Sequence, residues 1–135
     1  MEPLLISGMA VASSLGVGLA QTTRALQEQR SGLAPCRFET ATLDTWVGEA
    51  PGVDEVELEP HLRDFDCRNN RLARMALASD DFESKVRSLA ARHGAGRIGV
   101  FVGTSTSGML QTEIAYRHRD AAGALPSWFH YAATH

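Results

Sequence analysis

The sequence predicts an α/β protein in which a mixed sheet packs against helices. The central observation is the run 98–102, where Ile98, Val100, Phe101 and Val102 form a β-branched and aromatic stretch, as in a strand covered on both faces. This run changes at once into Gly, Thr and Ser over residues 103–108, and open α/β sheets place ligand pockets at such strand ends. Amphipathic helical patterns lie on both sides of it. The alternative is that the loop only links a strand to a helix.

The elements before this run begin with an apolar stretch. Residues from Leu4 to Ala12 predict a first buried strand, and the small residues 13–16 predict a turn. From Val17 to about Arg30, apolar residues recur at helical spacing, and Ser31-Gly32 is a stop signal.

Residues 33–62 have the weakest pattern of the chain. Phe38 to Val47 can hold a short strand or two, and an acidic stretch follows over residues 54–59. Paired carboxylates can serve acid–base catalysis or hold a metal, but Pro and Gly bound this stretch and no His lies beside it. The pattern therefore favours a solvated surface.

One long helix is predicted next. It begins with Asn69 or Asn70 as the cap and runs to about His93-Gly94, with a single apolar stripe at helical spacing that we interpret as core. After the central run, a further helix is predicted from Met109 to about Arg119, and residues 120–123 break it. The aromatic residues that follow have no obvious partners, so a missing segment or another chain is expected to cover them.

Composition narrows the class of protein. The chain has 135 residues, 44% of them hydrophobic, and a formal net charge of −3. These values are typical of one globular domain and argue against general nucleic-acid binding. No run reaches the length of a membrane span and no secretory signal is visible, which together predict a cytoplasmic protein.

Two possible ligand motifs are not supported by their spacing. Gly16 and Gly18 lack the third glycine of a dinucleotide fingerprint and lie in the approach to a helix rather than between strand and helix. Cys36 and Cys67 have no metal-binding spacing with the histidines. We therefore expect free thiols and no metal site.

Four stretches, taken in order, resemble the N-terminal region of the elongating β-ketoacyl-acyl-carrier-protein synthases, the condensing enzymes of the thiolase fold. Residues 6–16 resemble the opening strand and turn, and residues 29–33 resemble the helix end Arg/Gln-Ser-Gly with its following apolar residue. Residues 65–74 resemble the entry to the long helix, and residues 97–109 the strand and glycine-rich loop beside the acyl pocket. The resemblance implies the N-terminal part of a layered αβαβα fold.

The same resemblance implies that the catalytic residues are absent from these 135 residues. In the family the nucleophilic cysteine and two histidines lie beyond the point matched by His135, and neither Cys36 nor Cys67 occupies the nucleophile's place. We therefore expect residues 1–135 to be the N-terminal portion of a synthase domain, truncated before the cysteine and inactive alone.

The activity implied is a decarboxylative Claisen condensation in fatty-acid or polyketide-type synthesis. An acyl thioester is joined to a malonyl thioester, both carried by acyl carrier protein, with no metal or organic cofactor and with a homodimer or a heterodimer of paralogous subunits as the working form. Two alternatives stay open. One is a chain-length factor, a non-catalytic subunit of the same fold; the other is a small stand-alone α/β binding domain.

The resemblance also assigns candidate site residues. The acyl pocket and its gate match Thr104, Ser105, Thr106, Ser107 and Gly108, with Thr106 at the gating position, unless its hydroxyl only caps the next helix. The dimer interface and pocket end match Trp128, Phe129, His130 and Tyr131, for which ordinary core is the alternative. Carrier docking matches Arg68 and Arg71, which together with Arg74 form the one local concentration of positive charge, and a solvated helix start is the alternative.

Overall fold

The computed structural model describes residues 3–37, 42–104 and 108–129, and within them the chain is a mixed α/β protein. The strands are β1 (Ala12–Ser13), β2 (Gly16–Val17), β3 (Leu33–Pro35) and β4 (Trp46–Gly48). The helices are α1 (Leu19–Gln27), α2 (Arg68–Ala78), α3 (Phe82–His93) and α4 (Met109–Arg117), and the 3₁₀ turns are Val53–Glu55, Pro60–Phe65 and Ala95–Arg97. The strands form two small antiparallel pairs, so the coarse α/β prediction is confirmed, while a thiolase-like layering is not seen in the described residues.

The predicted turn at residues 13–16 closes a short hairpin. Strands β1 and β2 pair with Ala12 opposite Val17 and Ser13 opposite Gly16, and the Ser13 hydroxyl accepts a hydrogen bond from the backbone N–H of Leu15 at 3.2 Å. Helix α1 follows directly and ends three residues before the predicted Arg30. Both predictions are therefore confirmed.

Strands β3 and β4 form a ribbon that packs against this hairpin. Ala34 lies opposite Val47, which agrees with the prediction of short strands but moves the first of them upstream of Phe38. A Cβ at Gly32 would lie 2.6 Å from the backbone of Ser14, and one at Gly48 would lie 2.8 Å from the Ser14 hydroxyl. The two glycines are thus required for the ribbon to approach the turn.

The single long helix predicted from Asn69 or Asn70 to His93 is wrong. Helix α2 ends at Ala78, Ser79 is extended, and Asp80 and Asp81 have φ of 55° and 57°. Aspartate tolerates this left-handed conformation better than most residues because its short side chain can form local hydrogen bonds. The carboxylate of Asp80 also accepts the backbone N–H of Leu19 at 3.0 Å through both oxygens. Asp80, at the break, therefore caps the N-terminus of α1. The helix propensities of residues 69–93 carry no information about this contact with a distant segment.

The buried strand predicted at residues 98–102 is not formed, and of the one predicted at residues 4–12 only Ala12 lies in a strand, β1. Leu4 is 98% exposed and Phe101 is 96% exposed, and residues 98–104 have no ladder partner among the described residues. A strand covered on both faces needs neighbours for its backbone groups as well as cover for its side chains. The apolar sequence of these two runs meets neither condition within the described part of the chain.

The buried hydrophobic residues of the described part are few. They are Ala25, Val53, Ala115 and Phe129. The chain exposes 10977 Å², whereas a folded monomer of 14.6 kDa exposes about 6,900 Å². Much of the apolar surface that a domain of this size ordinarily buries is therefore accessible.

Candidate functional site

Arg68, Arg71 and Arg74, which we call the arginine row, lie on the first two turns of α2. Their spacing of three residues sweeps the row by about 120° around the helix. It therefore faces both the chain that precedes α2 and helix α3 that follows it. We call residues 49–66, which precede α2, the acidic segment.

Each arginine of the row is ion-paired with carboxylates of this chain. Arg68 contacts Asp54 through Nε–Oδ1 at 2.8 Å and Nη2–Oδ2 at 2.9 Å, with Glu49 farther away at 3.8 Å. Arg71 donates two parallel hydrogen bonds to Asp66, at 2.5 Å and 2.8 Å. Four of the five carboxylates around the row belong to the acidic segment.

Arg74 completes the row by joining the acidic segment to α3. Its Nε contacts Glu59 at 3.0 Å and its Nη1 contacts Glu83 at 3.1 Å. Glu83 is also paired with Arg87 one turn along α3. The whole cluster contains four arginines and five carboxylates, so its formal charge is negative and the row is not the positive patch that the sequence alone indicates.

The placement of these acids has a physical cause. Helix α2 has no acidic residue in its first turn, and arginines near a helix N-terminus add positive charge where the helix dipole is already positive. Asp54 and Asp66 supply the missing negative charge from outside the helix. Val53 is buried against this region, and the Arg71 Nη1 donates to the backbone oxygen of Asp54 at 3.1 Å, which together hold the acidic segment in place.

Hydrogen bonding shifts the pKa of two carboxyl groups in the cluster. The Arg71 guanidinium holds the pKa of Asp66 below its ordinary value, against a smaller opposing effect of burial. The hydrogen bond from Arg87, and after it the charges of Arg87 and Arg74, hold the pKa of Glu83 below its ordinary value. Both acids are therefore held in the charged form that pairs with arginine.

The predicted gating loop is described only at its two ends. Thr104 is exposed and follows the extended run 98–102, and Gly108 has φ 69° and immediately precedes α4. Ser105, Thr106 and Ser107 lie outside the described residues, so the prediction for Thr106 stays a prediction. The structure does explain Gly108, because the left-handed backbone at the start of α4 favours glycine.

The predicted aromatic patch is likewise described in part. Trp128 and Phe129 form an edge-to-face pair with ring centroids 6.2 Å apart. Phe129 is buried whereas Trp128 is half exposed, an arrangement compatible with core and with interface. His130 and Tyr131 lie outside the described residues.

Cys36 and Cys67 are free thiols. Within residues 3–37, 42–104 and 108–129, no group of three His, Cys, Asp or Glu side chains is placed to hold a metal ion. No helix of this part of the chain is long and apolar enough to cross a membrane.

Sequence reasoning identified the arginine row but missed its partners. The acidic stretch 54–59 is largely exposed, as the pattern predicts, but Asp54 and Glu59 also pair with Arg68 and Arg74. The sequence signal for this pairing is the similar spacing of the acids and the arginines. Asp54 and Glu59 are five positions apart, and Arg68 and Arg74 are six positions apart. A search of protein-family models, of curated proteins and of solved structures found no match to the chain.

Proposed function

We propose that the chain is the N-terminal portion of a β-ketoacyl-acyl-carrier-protein synthase with a thiolase-like layered fold. The reaction is the condensation of an acyl thioester with a malonyl thioester, each carried by acyl carrier protein. The proposal rests first on four stretches that resemble this family in order along the chain, at residues 6–16, 29–33, 65–74 and 97–109.

The observation that carries the proposal is the state of the run 98–102. Val100, Phe101 and Val102 have the sequence of a two-sided buried strand yet are exposed, and the run has no ladder partner in the described residues. Residues 4–6 are exposed in the same way. Two uncovered strand-like runs are what we expect of the N-terminal part of a layered α/β sheet when the strands and helices that complete the sheet are missing.

The accessible area argues in the same direction. The chain exposes about 4,000 Å² more than a compact monomer of its mass. This excess is what a chain exposes when it does not bury its own core. It disfavours the small stand-alone binding domain, which must bury its own core.

The chemistry of the complete enzyme would use a cysteine that this chain does not contain. A thiolate attacks the acyl thioester carbonyl, the carrier thiol leaves, and the acyl group stays on the cysteine. Loss of carbon dioxide from the malonyl thioester gives a carbanion that attacks the acyl-cysteine carbonyl and releases the thiolate. The residues described here would contribute the wall of the acyl pocket, through Thr104 and Gly108, and the carrier contact, through the arginine row.

The test begins with the reading frame beyond His135. We expect it to continue to a cysteine at a strand end and two later histidines, and the whole protein to convert acyl and malonyl carrier thioesters into a 3-oxoacyl carrier thioester, measured by mass spectrometry. The control replaces that cysteine by alanine and should lose the condensation.

Three outcomes of that test have different meanings. A frame that continues without the cysteine, with no product formed, would favour the chain-length factor. A stop codon after His135 together with a cooperatively folding 14.6 kDa monomer would overturn the proposal in favour of the stand-alone domain. A complete set of cysteine and histidines that yields no product from any acyl length would refute the condensing activity.

A further inference from the structure

The arginine row and the acidic segment form a charge cluster whose net charge is negative. Acyl carrier proteins are acidic, so such a carrier approaching the row meets carboxylates that already occupy the guanidinium groups. Like-charge contact at a docking surface costs affinity and slows association. Docking therefore requires at least one of these internal pairs to open.

We propose that Asp54 is an intramolecular competitor of the carrier for Arg68, so that carrier docking exchanges the Asp54 carboxylate for an acidic side chain of the carrier. The inference rests on the proposed function, because it takes the carrier as the partner. It adds a regulatory contact that acts by competition within one chain.

The geometry selects Arg68 as the arginine that exchanges. Its side chain is 38% exposed and that of Asp54 is 65% exposed, so Arg68 is the most exposed arginine of the row. Arg71 is 28% exposed and is held by the parallel hydrogen bonds to Asp66 and by the Asp54 backbone oxygen. Arg74 is tied to two elements at once, Glu59 and Glu83. Arg71 and Arg74 therefore keep α2 attached to its neighbours, while Arg68 is the accessible end of the row.

The exchange does not require the acidic segment to leave. Val53 stays buried beside Asp54, and the Arg71 contact is made to the backbone oxygen of Asp54 rather than to its carboxylate. A rotation of the Asp54 side chain breaks its ion pair with Arg68 without moving the backbone of the acidic segment. Exposed ion pairs of this kind contribute little net stability, so the opening is within reach of a weakly attractive partner.

The test compares carrier affinity between matched variants of the whole protein. Asp54→Asn keeps the size of the side chain and removes its charge, and we expect a dissociation constant for acyl carrier protein about threefold to tenfold lower than that of the unmodified protein at low ionic strength. The gain should shrink as salt screens the charges. The control is Asp64→Asn, which makes the same change of charge on an exposed residue without an ion pair in the described part of the chain, and it should change the constant less than twofold.

A second pair of variants decides whether the effect passes through Arg68. In the Arg68→Ala background, Asp54→Asn should give no gain, because the contested guanidinium is absent. Glu49→Gln, which removes the more distant carboxylate at 3.8 Å, should give a smaller gain and serves if Asp54→Asn fails to fold.

Each remaining outcome counts against a defined part of the argument. Equal affinity of the unmodified protein, Asp54→Asn and Glu49→Gln would overturn the competition while leaving carrier docking intact. A gain that persists in the Arg68→Ala background would also overturn it, because Asp54 would then act through general charge. A carrier that binds neither the unmodified protein nor any variant would overturn the docking surface and, with it, the partner assumed in the proposed function.

Discussion

The acidic segment with the arginine row and the run 98–102 show opposite relations between sequence and structure. The first is highly charged, yet it is fixed in place by ion pairs between positions 5 to 19 residues apart and by one buried valine. The second is almost entirely apolar, yet Phe101 lies in solvent. Hydrophobicity therefore does not predict which of the two is packed.

The difference follows from what each region needs from its surroundings. An ion pair is complete when one side chain reaches another, and α2 brings the acidic segment within reach of the arginines. A central strand needs two flanking strands for its N–H and C=O groups and cover on both faces. The described part of this chain supplies neither to residues 98–102, so the run stays exposed and unpaired there.

The largest expected effect comes from placing a charge in that run. Phe101→Asp in the whole protein should destabilise it by about 3 kcal/mol or more, because a covered strand would bury an unpaired carboxylate. The control is Leu43→Asp, at an exposed apolar residue of the loop before β4, which should cost little. Denaturant unfolding of both variants measures the contrast, and a Phe101→Asp protein as stable as Leu43→Asp would mean that the run stays exposed.

Local signals in the sequence predicted the local structure. The turn at residues 13–16 and helices α1 and α4 depend on spacing and on neighbouring residues, and they form near the predicted positions. The break between α2 and α3 was missed because Asp80 is held there by a hydrogen bond to Leu19, 61 residues away. The ion-pair partners of the row were missed for the same reason, since periodicity carries no information about which separate segments meet.

A second prediction concerns that break. Asp80→Ala should cost about 2 kcal/mol, because the variant loses the cap of α1 and places alanine at a φ of 55°. Asp80→Gly loses the same cap, but glycine adopts the left-handed backbone conformation without strain. It should therefore destabilise the protein by about 1 kcal/mol less than Asp80→Ala does. Denaturant unfolding of the two variants separates the stability lost with the cap from the strain of placing alanine at a positive φ.

Asp80→Asn provides the control for this prediction. Its amide oxygen can still accept the Leu19 N–H, and asparagine tolerates the left-handed region, so most of the stability should return. Equal stability of the alanine and glycine variants would mean that the backbone at residue 80 relaxes, and that the break is less firmly fixed than the ion pairs of the row.

The smallest expected effect is the acid sensitivity of the Asp66–Arg71 pair. The hydrogen bond from Arg71 holds the pKa of Asp66 below its ordinary value, so the native state binds the proton less readily than the unfolded chain. The stabilisation is therefore fully present above the unfolded-state pKa of about 4, and it is lost as the pH falls through the lower native value. Asp66→Asn removes this dependence because the amide does not titrate.

The unfolding free energies of the unmodified protein and Asp66→Asn should then differ slightly at neutral pH and converge as the pH falls below the unfolded-state pKa of about 4. Asp64→Asn, at an exposed residue with no ion pair in the described part of the chain, is the matched control for the change of charge. If the difference in unfolding free energy between the unmodified protein and Asp66→Asn stays constant with pH, the charge of the Asp66 carboxylate contributes nothing, and its oxygens act only as hydrogen-bond acceptors. The arginine row would then be held by packing, as the run 98–102 is expected to be once it is covered, and the contrast between the two regions would narrow.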